Sequence, residues 1–146
     1  MKKLILDEKN ILLNLKSEDK FSAIERTGRL LYENGYVEKE YIEGMKKREK
    51  EITTYIGNGI AIPHGTSEYI KYIKKSGIVV AQYPDGVDFE NGNRAYILIG
   101  IAGANDEHIE ILSNIALVCQ DEKNVERLIK SSSAKEILNI LTEVDN

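Results

Sequence analysis

Four short stretches of the chain have the apolar character of buried β-strands. Each is bounded on at least one side by polar or turn-forming residues, and the third runs into Pro84-Asp85-Gly86, where we expect it to end. The fourth is apolar at nearly every position, which is typical of a strand that is covered on both faces of its sheet. The predicted strands are residues 10–15, 60–62, 78–83 and 95–102.

Elsewhere, apolar residues recur every three or four positions, which indicates helices with one buried face. Ser17 or Asp19 can cap the first helix, and Ser133 with Glu136 forms a capping box for the last. Thr66 or Ser67 can cap a short helix in the middle of the chain. Asn105 or Asp106 can do the same for the next one. The predicted helices are residues 17–33, 38–50, 66–75, 106–119, 125–130 and 134–143.

Together these elements predict an α/β fold. No repeat, low-complexity tract or long linker divides the chain, so we expect a single domain over residues 1–146. Because the strand over 95–102 must be buried on both sides, the domain should contain a central mixed β-sheet of about five strands flanked by helices on both faces.

The composition of the chain argues against some classes of function. A net charge of -4 and a pI near 5.3 argue against nucleic-acid binding, which draws much of its affinity from a basic face. No apolar run approaches the roughly 20 residues of a membrane span, so we expect no direct membrane insertion. The N-terminus does not read as an export signal, and the single cysteine excludes an internal disulfide. These features predict a cytoplasmic protein.

One of the two histidines, His64, stands directly after the predicted strand 60–62. Pro63 fixes its own φ and restricts Ile62 to extended geometry, so His64 is held on a rigid support, and Gly65 permits a close backbone approach. An imidazole near its usual pKa offers a nucleophilic nitrogen at neutral pH. These features favour a histidine that carries phosphate. The alternative is that Pro63-His64-Gly65 is an ordinary turn with a polar residue in it.

The second histidine, His108, follows the predicted strand 95–102 and lies in the first turn of a helix. Ligand sites of α/β sheets gather at the carboxyl ends of strands, so the two histidines can meet if their strands are neighbours. Zinc is an alternative, because acidic residues flank His108, but the spacing matches no zinc motif and we expect no metal or cofactor. An exposed histidine at a helix start is the other alternative.

Two further residues have simple interpretations when read from the sequence alone. Arg48 lies in the charged run 46–51, and such runs are usually solvated helix ends. Cys119 stands among apolar residues, where a packed thiol is expected rather than a reactive one.

Three stretches resemble one bacterial protein family. They are REKEITTYIGNGIAIPHG, VVAQYPDGVDF and LIGIAGANDEHIEILSNIA. With nearly all of the rest of the chain, they are similar to the enzyme IIA component of the phosphotransferase sugar-uptake system, in its mannitol and fructose class and nearest the mannitol branch.

The resemblance implies that His64 accepts a phosphoryl group from the histidine-containing phosphocarrier protein. It also implies that His64 passes this group to a cysteine of the IIB domain of a mannitol enzyme IIB/IIC transporter. His108 would be the second histidine of the site, and Arg48 an arginine near the phosphate. Some relatives carry an acidic residue where this chain has Asn58, so no carboxylate can act at that position.

Two other functions stay open at this stage. The chain would serve a fructose transporter if its partner were a fructose-specific enzyme IIB. It would be a regulatory module if phosphorylation of His64 controlled a partner protein.

Overall fold

The protein is built around one mixed sheet of five strands in the order β1-β4-β5-β3-β2. The computed structural model describes residues 7–104 and 107–142. β1 pairs with β4 and β3 with β5 in parallel, while β4 with β5 and β2 with β3 are antiparallel. The strands are β1 (Ile11–Leu12), β2 (Tyr55–Gly57), β3 (Ile60–Ala61), β4 (Gly77–Asp88) and β5 (Arg94–Ala102).

Helices cover both faces of the sheet, which confirms the expected α/β architecture. α1 and α2 pack on one face, and α3, α4 and α5 pack on the other. No helix in the described ranges is long and apolar enough to cross a bilayer. The helices are α1 (Lys20–Glu33), α2 (Tyr41–Glu51), α3 (Glu107–Cys119), α4 (Glu122–Lys130) and α5 (Ala134–Thr142), with 3-10 turns at Glu8–Asn10 and Ser67–Tyr72.

β5 shows why its sequence is apolar throughout. Ile97, Ile99 and Ile101 face the core beneath α3, α4 and α5, whereas Leu98 and Ala102 face the core beneath α1 and α2. Both sets of side chains are fully buried. Alternate residues of a strand point to opposite faces, so a strand between two helical layers needs apolar residues at successive positions.

β4 is longer than the sequence pattern predicts. It continues through Pro84 and Gly86 to Asp88, with a shift of register between Gln82 and Val87. The prediction that Pro84 ends the strand is therefore wrong. β1 pairs with β4 only at Val80 and Ala81, so beyond these residues β4 has no second strand that needs the missing N–H of proline.

The hairpin before His64 contains a strand that the sequence pattern did not reveal. β2 is only three residues long and joins β3 through a turn in which Gly57, Asn58 and Gly59 all have positive φ, between 53° and 103°. Such a turn reverses the chain tightly and favours glycine and asparagine at these positions. The predicted strand 60–62 is confirmed as β3, one residue shorter.

Several predicted element ends differ from the structure. Residues 66–75 were predicted as a helix, but only Ser67–Tyr72 is helical, as a 3-10 turn that Thr66 does not cap with its side chain. The capping box of α5 is half formed. The Ser133 hydroxyl accepts the Glu136 N–H at 3.2 Å, but the Glu136 carboxylate accepts the Ser131 hydroxyl instead. The proposed caps Asn105 and Asp106 lie outside the described residues.

Leu31 tests the contact between α1 and the sheet. Its side chain is fully buried, so Leu31→Ala should lower the free energy of unfolding by about 2–5 kcal/mol through lost burial and a residual cavity. Leu117→Ala is the matched control on α3, because Leu117 is 55% exposed and its loss should cost about 0.5 kcal/mol or less. Urea unfolding followed by circular dichroism measures both values, and equal losses would refute this description of the core.

Candidate active site

The site is set by the pairing of β3 with β5. The two strands are parallel neighbours, with Ile60 opposite Ile97 and Ala61 opposite Leu98. Beyond β3 the pairing continues as a parallel bridge between His64 and Ile101. Because the carboxyl ends of parallel strands meet at one edge, the segment after β3 and the segment after β5 lie side by side. The condition for the two histidines to meet is therefore fulfilled by the strand order.

Backbone hydrogen bonds hold the segment before His64 on both sides. The Ile62 N–H donates to the Thr54 carbonyl at 3.0 Å, and the Ile101 N–H donates to the Pro63 carbonyl at 2.9 Å. Pro63 adds its fixed φ between these two bonds. The half-buried His64 ring thus stands on a support that is tied to β5 on one side and to the start of the β2 hairpin on the other.

The His64 ring itself has a defined orientation. Its Nδ1 lies 2.7 Å from the Ile62 carbonyl oxygen. A carbonyl oxygen can only accept a hydrogen bond, so Nδ1 must carry the proton in this contact. In the neutral ring Nε2 then carries the lone pair, and Nε2 is the nucleophilic atom of this arrangement.

Tyr41 of α2 holds the other side of the same segment, and the sequence analysis missed it. Its buried hydroxyl donates to the Ile101 carbonyl and accepts the Gly65 N–H, both at 2.8 Å. Burial raises the pKa of Tyr41 to about 12, so the hydroxyl keeps its proton for donation. Only one signal pointed to it, namely that a buried tyrosine must find a partner for its hydroxyl.

Gly65 is required for close approach rather than for an unusual φ. A Cβ on Gly65 would lie 2.7 Å from a Tyr41 ring carbon, closer than atoms normally pack. Since Gly65 does not have positive φ, the space taken by the Tyr41 ring explains the glycine.

Arg48 lies in the last turn of α2, where its Nη1 donates to the Ile52 carbonyl. The guanidinium is thus placed against the segment that joins α2 to β2. The charged run around it is not uniformly solvated as interpreted from the sequence, because Glu49 is buried. The described hydrogen bond of Arg48 is to Ile52 and not to His64. The approach of Arg48 to a phosphate on His64 therefore stays a prediction.

His108 lies in the first turn of α3, on the segment that follows β5. Its side chain lies outside the described part of the structure, so contact between the two histidine rings also stays a prediction. Among the side chains that are described, no three His, Cys, Asp or Glu residues come together as a possible metal site.

The sequence matches a family model over nearly its whole length. The model is that of the phosphoenolpyruvate-dependent sugar phosphotransferase system, EIIA 2, and the match covers residues 4–144. The chain belongs to this enzyme IIA family.

Known members of the enzyme IIA family are similar over almost the entire chain. The mannitol-specific phosphotransferase enzyme IIA component of Geobacillus stearothermophilus is 52% identical, with 97% of each chain covered. The component of the same name from Bacillus subtilis is 45% identical, with 97% of this chain and 99% of that one covered. In a complex of enzyme IIAMTL and phosphorylated enzyme IIBMTL from Escherichia coli, the matched chain is 40% identical with a TM-score of 0.91, covering 97% of this chain and 99% of that one.

In this enzyme IIA, Asn58 has a structural contact that a carboxylate could not make. Its Nδ2 donates to the Cys119 carbonyl at 3.1 Å and ties the β2–β3 turn to the end of α3. The Cys119 thiol is buried, as expected from its apolar neighbours, and burial raises its pKa to about 11. Such a thiol is protonated at neutral pH and is a packed group rather than a nucleophile.

Tyr41→Phe tests whether the Tyr41 hydroxyl stabilises the segment that contains His64 and Gly65. It removes the hydroxyl that joins Gly65 to Ile101 and leaves a buried N–H and a carbonyl without this partner, which should cost about 1–3 kcal/mol of unfolding free energy. Tyr32→Phe is the control, since Tyr32 is 45% exposed and its loss of a hydroxyl should cost about 0.5 kcal/mol or less. Urea titration of both variants gives the comparison, and a neutral Tyr41→Phe would mean that the hydroxyl does not brace the loop.

Proposed function

We propose that the chain is a phosphoryl carrier for mannitol uptake, with Nε2 of His64 as the atom that carries the phosphate. It would receive the group from the phosphohistidine of the histidine-containing phosphocarrier protein and pass it to the cysteine of a mannitol-specific enzyme IIB. The observation that carries the proposal is the hydrogen bond from Nδ1 of His64 to the Ile62 carbonyl, which makes Nε2 the nucleophile.

Each transfer is a substitution at phosphorus. In the first, the lone pair of Nε2 attacks, the phosphorus–nitrogen bond of the donor breaks, and its electron pair returns to the donor ring. In the second, the thiolate of enzyme IIB attacks, and the electron pair of the breaking bond returns to Nε2. No proton has to leave the His64 ring before it attacks, because the proton already sits on Nδ1.

The Ile62 carbonyl has a second role in this scheme. While phosphorus is bonded to Nε2 and Nδ1 keeps its proton, the ring carries positive charge. A carbonyl oxygen 2.7 Å from Nδ1 stabilises that charge through a charge-assisted hydrogen bond. The same bond therefore directs the attack and supports the phosphorylated ring.

Arg48 and His108 are proposed to stabilise the phosphoryl oxygens. Phosphoryl transfer needs positioning and positive charge around the equatorial oxygens, and a guanidinium supplies several fixed donors. Arg48 lies in the last turn of α2, before the segment that leads into β2, and His108 lies in the first turn of α3, after the segment that follows β5. The enzyme IIA match in a complex with phosphorylated enzyme IIB supports the onward partner.

Sugar specificity is part of the proposal. The relatives with 52% and 45% identity are both mannitol-specific by name, which favours mannitol over fructose and over a purely regulatory role. Phosphorylated protein offered separately to purified mannitol and fructose enzyme IIB should transfer its phosphate faster to the mannitol protein. Transfer to neither would favour the regulatory module.

His64→Ala should fold and accept no phosphate. The wild-type chain, mixed with phosphoenolpyruvate, enzyme I and the phosphocarrier protein, should gain one phosphate by intact mass, and the label should be lost in mild acid and survive base. His108→Ala is the control, because it should still gain the label, only more slowly. A His64→Ala protein that gains one phosphate would place the acceptor elsewhere.

Arg48→Ala should slow transfer without removing it. Loss of one charged donor to a developing charge costs about 10²- to 10³-fold in enclosed sites, and we expect the lower end of that range or less here because His64 is only half buried. Arg48→Lys should recover only part of the rate, because a point charge does not reproduce the planar fork. Arg29→Ala is the control, since Arg29 pairs with Glu25 on α1. Rapid-quench measurements of both transfers decide, and a wild-type rate for Arg48→Ala would leave Arg48 as an ordinary helix end.

A further inference from the structure

Glu49 is a buried carboxylate within the charged run that ends α2. Its side chain has no exposed surface. Its Oε1 accepts two hydrogen bonds from one residue, the Thr54 N–H at 2.8 Å and the Thr54 hydroxyl at 2.7 Å. Glu49 thus fixes both the backbone and the side chain of Thr54.

Thr54 passes this constraint to the support of His64. The Thr54 carbonyl accepts the Ile62 N–H at 3.0 Å, and the Ile62 carbonyl accepts Nδ1 of His64 at 2.7 Å. Three consecutive links therefore join the Glu49 carboxylate to the His64 ring through Thr54 and Ile62. No part of this path runs through solvent-exposed side chains.

The other carboxylate oxygen of Glu49, Oε2, has weaker contacts than Oε1. Oε2 lies 3.5 Å from the Lys20 ammonium, which forms a closer pair with Glu90 at 2.9 Å. Oε2 has no hydrogen-bond donor among the described residues. A buried charge with this incomplete pairing is costly, and an apolar residue at the end of α2 would avoid that cost. An apolar residue could not accept the two hydrogen bonds that Thr54 donates to the Glu49 carboxylate.

We propose that Glu49 is a positioning residue that sets which nitrogen of His64 is nucleophilic. By holding Thr54, it fixes the Ile62 segment so that the Ile62 carbonyl faces Nδ1 and keeps the proton there. If this segment shifts, the neutral ring can take the other tautomer, in which Nε2 holds the proton and cannot attack. The inference rests on the proposed role of His64 as the phosphoryl acceptor.

The decisive readout is the tautomer of His64, which a merely structural role of Glu49 would not change. The ring ¹⁵N chemical shifts of the unphosphorylated wild-type protein should show the proton on Nδ1. Glu49→Ala should shift the ring toward the Nε2-protonated form and slow phosphoryl acceptance by about 10-fold or more, since a misplacement of a reacting group by about 1 Å can cost about 10²-fold. Glu49→Gln keeps an acceptor oxygen and should fall between the two.

Two variants protect the test against misfolding and non-specific loss of stability. Thr54→Val removes the hydroxyl bond to Glu49 but keeps the N–H bond, so it should change the tautomer and the rate in the same direction as Glu49→Gln. Glu18→Gln is the control. Its carboxylate accepts from Arg26 at 2.7 Å and from Tyr83, in a cluster with no described link to His64. It should leave the ¹⁵N shifts and the rate as in the wild type.

The outcomes separate the two proposals. If Glu49→Gln and Thr54→Val both fold and both keep the wild-type tautomer and rate, the positioning role is overturned, whether or not Glu49→Ala folds. A tautomer change that also appears in Glu18→Gln would overturn it as well. The ¹⁵N measurement needs no phosphate, so a wild-type protein with Nδ1 protonated that never accepts a phosphoryl group would refute the proposed function alone.

Discussion

The parallel pairing of β3 with β5 is the constraint on which the site depends. β3 contributes only two paired residues, yet it places the chain that follows it beside the end of β5. β5 is covered by helices on both faces, whereas β3 is short and leads directly into the segment with His64. The central strand β5 thus fixes the position of the segment 62–66 near the edge of the sheet. Without this neighbour, the segment 62–66, which follows β3, would have no fixed relation to the start of α3.

Hydrogen bonds from three different elements complete that fixation. β5 holds Pro63, α2 holds Gly65 through a tyrosine hydroxyl, and the start of the β2 hairpin holds Ile62. Each bond alone contributes roughly 1 kcal/mol to stability. Together these bonds restrict the orientation of the His64 backbone, and this restriction is what matters for the proposed function. In the proposed transfer the His64 nitrogen must point in line at phosphorus, so the orientation that these bonds give matters more than their strength.

The sequence predicts the features that depend on local pattern. The apolar run 95–102 indicates a strand covered on both sides, and Pro63 next to His64 indicates a rigid histidine. It does not predict the features that depend on distant partners. β4 passes through Pro84 because β1 is too short to need that N–H. In the sequence, Glu49 is one of several charged residues in a run that indicates a solvated helix end. Its burial depends on the contact with Thr54, which the sequence does not reveal. The hydroxyl of Tyr41 has no sequence signal that separates it from the other seven tyrosines.

The brevity of β2 has a consequence for how the protein meets others. An edge strand offers unpaired backbone groups, and long flat edges invite other sheets to add to them. β2 lies at the sheet edge and is three residues long, ending in a tight turn, so another copy of the chain would find too few pairs to extend the sheet there. The sheet edge beside the segment that leads to His64 is therefore poorly suited to pairing with a second copy of the chain.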